Sequence, residues 1–263
     1  MTGSEAWPST PPLLQVAAGV ATITLNRPAH RNRLQDEDLQ VLRAHFAAIE
    51  SDLSLRVVVL RANTDGQPRP VFCAGYDLGG FEEPGKDAGG FEAMADAYAA
   101  LSPVTVCALN GSVYGGATDL FVSSDLRVAL EGAQLRMPAT TLGLHYYPSG
   151  LERYMQRMGP AFTERAFLTG RPFSARQLQD IGCLEALVTA DAFETTLQAL
   201  VEDIAALAPL ALRATKASLR ELARGRYDEA TLRARERLTL ASEDFAEGRR
   251  AFAQRRPPRF SGR

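Results

Sequence analysis

The chain has 263 residues, 46% of them hydrophobic, with 29 basic side chains against 31 acidic ones. That length supports one sizeable core with a small extension, and the near-balanced charge excludes a global field for nucleic acid or an anionic membrane. Cys73, Cys107 and Cys183 are odd in number and far apart, and His30, His45 and His145 have no metal-ligand spacing. Neither a disulfide framework nor a metal site is expected, and a reducing, cytoplasmic compartment fits. No run is long and apolar enough for a membrane-spanning helix. Residues Met1 to Pro12 are polar and proline-rich, with no basic segment ahead of an apolar one, and read as a flexible arm rather than a signal peptide.

Leu13 to Val16 and Val20 to Leu25 flank Ala18-Gly19 and predict a hairpin. Asp36 to Glu50 carries Leu39, Leu42, Phe46 and Ile49 at helical spacing, with acids in the first turn. Leu55 to Leu60 predicts a buried strand, Asn63 to Pro70 a surface loop, Phe81 to Gly90 a second loop and Phe91 to Leu101 a helix. Thr105 to Leu109 and Asp125 to Leu130 read as strands, and a helix opens at the Gly115-Gly116 turn between them. Strand, turn and helix recur along residues 55–145, the pattern of an α/β core. After Pro148 the patterns are helical: Ala161 to Thr169, Ala175 to Ile181, Ala192 to Leu207, Ala211 to Leu222 and one long segment over 228–253. The expected organisation is an arm over 1–12, a sheet-based core over 13–200 and a helical region over 201–263. Arg213, Lys216, Arg220 and Arg224 share one helical face, which reads as solvated or as an interface.

Two small-residue turns carry the chemistry. Phe72-Cys73-Ala74-Gly75-Tyr76-Asp77-Leu78 follows one apolar run, and Asn110 to Leu120, with Gly115-Gly116 inside it, follows another. Glycine admits φ > 0 and lets a ligand approach the backbone. Two backbone N–H groups aimed at one spot hold the oxygen of a carbonyl as it becomes an oxyanion, which points to thioester or ester chemistry.

These segments resemble the crotonase, or enoyl-CoA hydratase/isomerase, superfamily, and the resemblance runs over nearly the whole chain. It rests on Asn26-Arg27-Pro28 with Asn32-Arg33-Leu34, on the two turns, and on Ser242 to Gly248 followed by Phe252 and Arg255-Arg256. The resemblance implies an α/β spiral of ββα turns with a C-terminal helical trimerisation region, assembled as trimers or dimers of trimers. It implies an acyl-CoA thioester as ligand, with coenzyme A as part of the substrate and no separate cofactor. The oxyanion donors would be the N–H groups of Tyr76 and Gly116, flanked by Ala74, Gly75 and Asp77. Arg27 and Arg33, with Phe252 and Arg255 of a neighbouring subunit, would meet the coenzyme's phosphates and adenine. No nucleic-acid partner is expected, because the Asp36 to Glu50 segment is acidic, with Arg43 its one Lys or Arg.

Departures from the family pattern bear on the reaction. Family hydratases use two glutamates; the first falls on Asp119 and the second on Ala139, which transfers no proton. Asn110 to Ala117, Ser123 to Leu126 and Leu142 to Tyr147 are similar to methylmalonyl-CoA decarboxylases, whose pocket tyrosine falls on Tyr146, next to His145. The expected reaction is decarboxylation of a methylmalonyl-type thioester, with Tyr76, Gly116, Asp119 and Tyr146 at its centre. Enoyl-CoA hydration or isomerisation, and an inactive acyl-CoA-binding homologue, stand as alternatives.

Overall fold

The structure, a computed structural model, describes residues 9–77, 79 and 89–263. Its strands are β1 (Leu13–Ala17), β2 (Val20–Leu25), β3 (Val57–Ala62), β4 (Val71–Cys73), β5 (Val104–Leu109), β6 (Ser112–Tyr114), β7 (Leu126–Leu130), β8 (Gln134–Arg136), β9 (Phe173–Ser174) and β10 (Ala186–Val188). The helices are α1 (Asp36–Ser51), α2 (Gly89–Ala100), α3 (Ala117–Ser123), α4 (Pro148–Thr169), α5 (Ala175–Asp180), α6 (Ala190–Ala205), α7 (Pro209–Ala223), α8 (Glu229–Leu240) and α9 (Glu243–Ala253).

The larger sheet runs β1-β2-β3-β5-β7-β10 and the smaller β4-β6-β8-β9. From β2 to β10 the larger sheet is parallel, and so are β4, β6 and β8 in the smaller. Along the chain, β3-β4-α2, β5-β6-α3 and β7-β8-α4 each give one strand to each sheet and then a helix. This is the expected spiral of ββα turns. The short second strands deliver the chain to the site, because each ends where a turn follows.

The central strands are largely apolar because the parallel sheet is covered on both faces. Val58, Leu60, Cys107, Leu109 and Ala129 point into the main core with α1 and α2. Their neighbours Val57, Val59, Val106, Ala108 and Val128 point the other way, onto Phe193, Leu197 and Ile204. Those three side chains belong to α6, so the division expected at residue 200 falls inside a helix that packs on the sheet. Burying each of them stabilises the fold by roughly 1.5–3 kcal/mol.

Other boundaries also shift. Helix α4 starts at Pro148 rather than Ala161; Gly159, at φ +74°, breaks its periodicity before Pro160. The segment over 228–253 is two helices, because the Ser242 hydroxyl accepts the Phe245 N–H and caps α9. Most of the loop expected over 81–90 and most of the arm over 1–12 lie outside the described residues. Where the arm is described it is tied down: the Thr10 N–H donates to Asn26 O at 2.9 Å, and the His45 ring donates to Pro12 O at 2.9 Å.

Three of the four cationic residues of the α7 face, Arg213, Lys216 and Arg220, dock on the body, while Arg224, the C-cap of α7, is exposed. Lys216 Nζ lies 2.6 Å from Asp125 Oδ2, Arg220 donates to Asp125 Oδ1 at 3.2 Å and to Leu101 O at 3.1 Å, and Arg213 donates to Leu55 O at 3.0 Å. Asp125 also accepts the N–H and hydroxyl of Thr105. Burial pushes the Lys216 ammonium down to about 8 even though Asp125 opposes it. Between that value and the ordinary 10.5, the unfolded chain holds a proton that the folded chain has lost, so this lysine makes stability rise with pH in that window. The unfolding free energy of the wild type minus that of Lys216→Met is therefore expected to grow by about 2 kcal/mol from about pH 7.5 to about pH 9.5 in urea titrations. A difference that is flat with pH would contradict the burial of a charged Lys216.

Candidate active site

A cavity of about 440 Å³ opens where β4, β6 and the start of α4 converge. Two glycine turns form one wall. Gly75, after β4, has φ +103°, and a Cβ there would lie 3.0 Å from Tyr114 O; Gly115, after β6, has φ +56° and lies against Gly75 Cα. Only glycine takes these angles at such close approach. The turns therefore touch, and Tyr76 and Gly116 line the same cavity.

Each turn is held through the carbonyl before its donor. In a trans peptide the C=O and the following N–H point in opposite directions. The Leu34 N–H donates to Gly75 O at 2.9 Å, which turns the Tyr76 N–H away from Leu34. The Thr118 N–H and hydroxyl donate to Gly115 O at 3.0 and 2.6 Å, which aims the Gly116 N–H the other way. The Tyr154 hydroxyl, fully buried, donates to Thr118 Oγ1 and fixes that hydroxyl in turn. The Gly116 N–H has no protein acceptor among the described residues. Phe91 from α2 covers the turn, so closely that a Cβ on Gly116 would lie 2.8 Å from its ring.

The opposite wall is a pair of tyrosines. The Tyr146 and Tyr147 rings stack at 4.2 Å, and the Tyr146 hydroxyl donates to the Tyr147 hydroxyl at 3.0 Å. Tyr147 donates in turn to Asp119 Oδ2. Asp119, on α3, is fully buried and grips Arg153 through two bonds, Nε to Oδ1 at 2.7 Å and Nη2 to Oδ2 at 2.6 Å. The Ser123 hydroxyl donates to Oδ1 at 3.2 Å, and Arg153 reaches on to Asp96 at 2.6 Å. Burial first, and the nearby Asp119 second, push both phenols well above the ordinary tyrosine value. They act as neutral hydrogen-bond donors, not as bases.

With this geometry in place, the sequence matches the model of the family described as enoyl-CoA hydratase/isomerase over residues 15–263. The chain belongs to that family. It is 32% identical over 250 residues to 2,3-dehydroadipyl-CoA hydratase of Escherichia coli (strain K12), covering 93% of this chain and 96% of the relative. It is 30% identical over 261 residues to carnitinyl-CoA dehydratase of Proteus mirabilis (strain HI4320), covering 95% and 98%. An enoyl-CoA hydratase/carnithine racemase from Magnetospirillum magneticum superposes with a TM-score of 0.87 at 28% identity, covering 97% of each chain. An enoyl-CoA hydratase from Bacillus anthracis gives 0.85 at 26%, covering 97% of this chain and 100% of that one.

Ala74, Gly75, Tyr76, Gly116, Ala139, His145 and Tyr146, all singled out in the sequence, line this one cavity. Asp119 is a correction: its oxygens are taken by Arg153, Tyr147 and Ser123, and it supports the tyrosine wall from beneath rather than reaching a ligand. Arg27 is a second: its Nε bonds both oxygens of Asp38 and its Nη2 reaches Glu37 at 2.8 Å, so the guanidinium is committed to the start of α1. Asp77 lies outside the cavity lining, 3.2 Å from the half-exposed Arg33. Phe252, 88% exposed, and Arg255 sit at the end of α9, away from this chain's cavity. Sequence reading missed Glu92, Thr118, Tyr147 and Arg153. Tyr147 adjoins an expected residue; the others look like ordinary helix side chains.

Arg153→Met leaves the Asp119 carboxylate buried without its cation, and a stability loss of about 3–5 kcal/mol is expected in urea unfolding. Arg153→Met combined with Asp119→Leu should recover most of that loss. A double variant as unstable as the single one would refute the pairing account.

Proposed function

We propose that this chain, an acyl-CoA enzyme by family, stabilises a thioester enolate between the Tyr76 and Gly116 N–H groups and reaches that enolate by loss of CO2 from a methylmalonyl-type thioester. The observation that carries the reading is the state of the two hydratase positions. Ala139 presents a methyl to the cavity, and Asp119 is sealed beneath Tyr147 by Arg153. Two-carboxylate activation of water has no machinery at those positions. Decarboxylation needs less: the Cα–carboxylate bond breaks, its electron pair enters the enolate, CO2 leaves and Cα takes a proton. Phe91, Leu142 and Leu144 make the lining apolar, which disfavours a localised carboxylate relative to an enolate whose charge the two N–H groups receive.

Hydration or a double-bond shift is the second reading. The hydratase and dehydratase relatives favour it, and so does the carboxylate of Glu92 on the cavity lining. A trimer or dimer of trimers is part of the proposal, supported by Leu238, Leu240, Phe245 and Phe252, which α8 and α9 leave exposed.

A side-by-side assay separates the readings. Methylmalonyl- or ethylmalonyl-CoA is expected to lose CO2 faster than crotonyl-CoA takes up water; the reverse ranking defeats decarboxylation, and turnover of neither favours an inactive homologue. The oxyanion donor has its own check. Gly116 has φ −54°, which suits proline, and Phe91→Ala makes room for the ring. Adding Gly116→Pro to Phe91→Ala should lower kcat by about 10²–10³-fold. An unchanged kcat in the folded double variant would remove Gly116 from the mechanism.

A further inference from the structure

We infer that Glu92 is a catalytic residue of this site, the group that moves the proton at the substrate's α-carbon. The inference rests on the thioester-enolate reading above and holds whether the enolate arises by loss of CO2 or of a proton.

An enolate held in this cavity becomes product only when its α-carbon is protonated, so a proton donor must face it. Among the described residues lining the cavity, Glu92 is the only carboxylate. It lies in the first turn of α2, next to Phe91, whose ring covers Gly116. One oxygen, Oε1, accepts the Ser149 hydroxyl at 3.0 Å, which ties the start of α2 to the start of α4. No second hydrogen bond to the Glu92 carboxylate is found among the described residues. One oxygen is thus anchored and the other is available to a ligand.

The other titratable groups of the lining are less suited. Tyr146 donates to Tyr147 and Tyr147 to Asp119, so both phenolic protons are engaged. The Tyr76 hydroxyl donates to Asp36, which lies outside the cavity lining. His145 is exposed at the mouth. Glu92 is half-buried and shares the cavity lining with Phe91, Leu142 and Leu144, so its second oxygen faces the space a ligand would fill.

The step balances simply. After CO2 leaves, the Glu92 carboxylic acid gives its proton to Cα, the enolate collapses to the saturated thioester, and the carboxylate regains a proton from water through the open cavity. In reverse, the carboxylate takes an α-proton from a saturated thioester and the N–H pair receives the oxyanion.

That reverse step is the test. Propionyl-CoA incubated with the enzyme in D2O should gain α-deuterium, read by mass spectrometry. Glu92→Gln, which keeps an acceptor for Ser149, should lower the exchange rate by at least about 100-fold with propionyl-CoA affinity unchanged. Glu131→Gln, an exposed carboxylate outside the cavity lining, should stay within about threefold of the wild type, well short of the loss expected for an acid–base group. Wild-type exchange in folded Glu92→Gln overturns the assignment while leaving the enolate reading intact, and loss of exchange only in His145→Ala would move the role to that histidine. Absence of exchange in the wild type itself, with propionyl-CoA bound, overturns both.

Discussion

The site depends on two peptide planes gripped from behind. Neither of the proposed oxyanion donors, the Tyr76 and Gly116 N–H groups, is positioned by its own side chain. Leu34 holds the Gly75 carbonyl and Thr118 holds the Gly115 carbonyl, and each grip sets the direction of the N–H on the far side of the same plane. The donors are therefore preorganised before any ligand arrives, which is what gives such a pair its leverage on developing charge. The architecture follows from this requirement. Strands β4 and β6 must be parallel neighbours so that the turns after them abut, and the ββα spiral makes them so. Gly75 and Gly115 have no Cβ because one would strike the other turn or force the wrong φ.

Around that pair the chain spends polar groups on rigidity more than on chemistry. Asp119 is the clearest case. A carboxylate on this face of α3 could have faced the cavity, but Arg153 matches it with two parallel N–H bonds, and the two form a fixed, buried pair. The result is transmitted outward: Asp119 sets the Tyr147 hydroxyl, Tyr147 sets Tyr146, and the stacked rings become a stiff wall. Asp96 closes the network at the partly exposed end of Arg153. Charge in this part of the molecule holds aromatic surface in place.

What the sequence made legible divides along physical lines. The strands of the larger sheet were readable because burial on both faces demands unbroken apolar runs such as Val57-Val58-Val59. The glycine turns were readable because their backbone angles exclude other residues. Three-residue strands such as β4 and β6 were not, since they carry too few residues to show a period of two. The roles of Asp119 and Arg27 were misjudged for one shared reason: a charged side chain's partner can lie far along the chain. Arg153 is 34 residues from Asp119, and no local pattern announces the pair. The α7 face was left open between solvent and interface for the same reason, because Lys216 meets Asp125 only after the helix folds back over the sheet.

Glu92 and Ala139 are best understood together. Removing a carboxylate from the position after Pro138 leaves the oxyanion hole intact but takes away one route to its intermediate. A carboxylate on the first turn of α2 approaches the same enolate from another element, linked to α4 through Ser149. The hole constrains what is stabilised, and the direction from which a proton arrives constrains which bond change can precede it. In a cavity whose remaining lining is aromatic or aliphatic over much of its surface, a single carboxylate can serve one proton transfer per enolate. Loss of CO2 followed by protonation needs only that one transfer, whereas water addition needs a second group to activate the nucleophile. The pairing of Ala139 at a hydratase position with the one carboxylate among the described lining residues therefore weighs toward the simpler sequence of events.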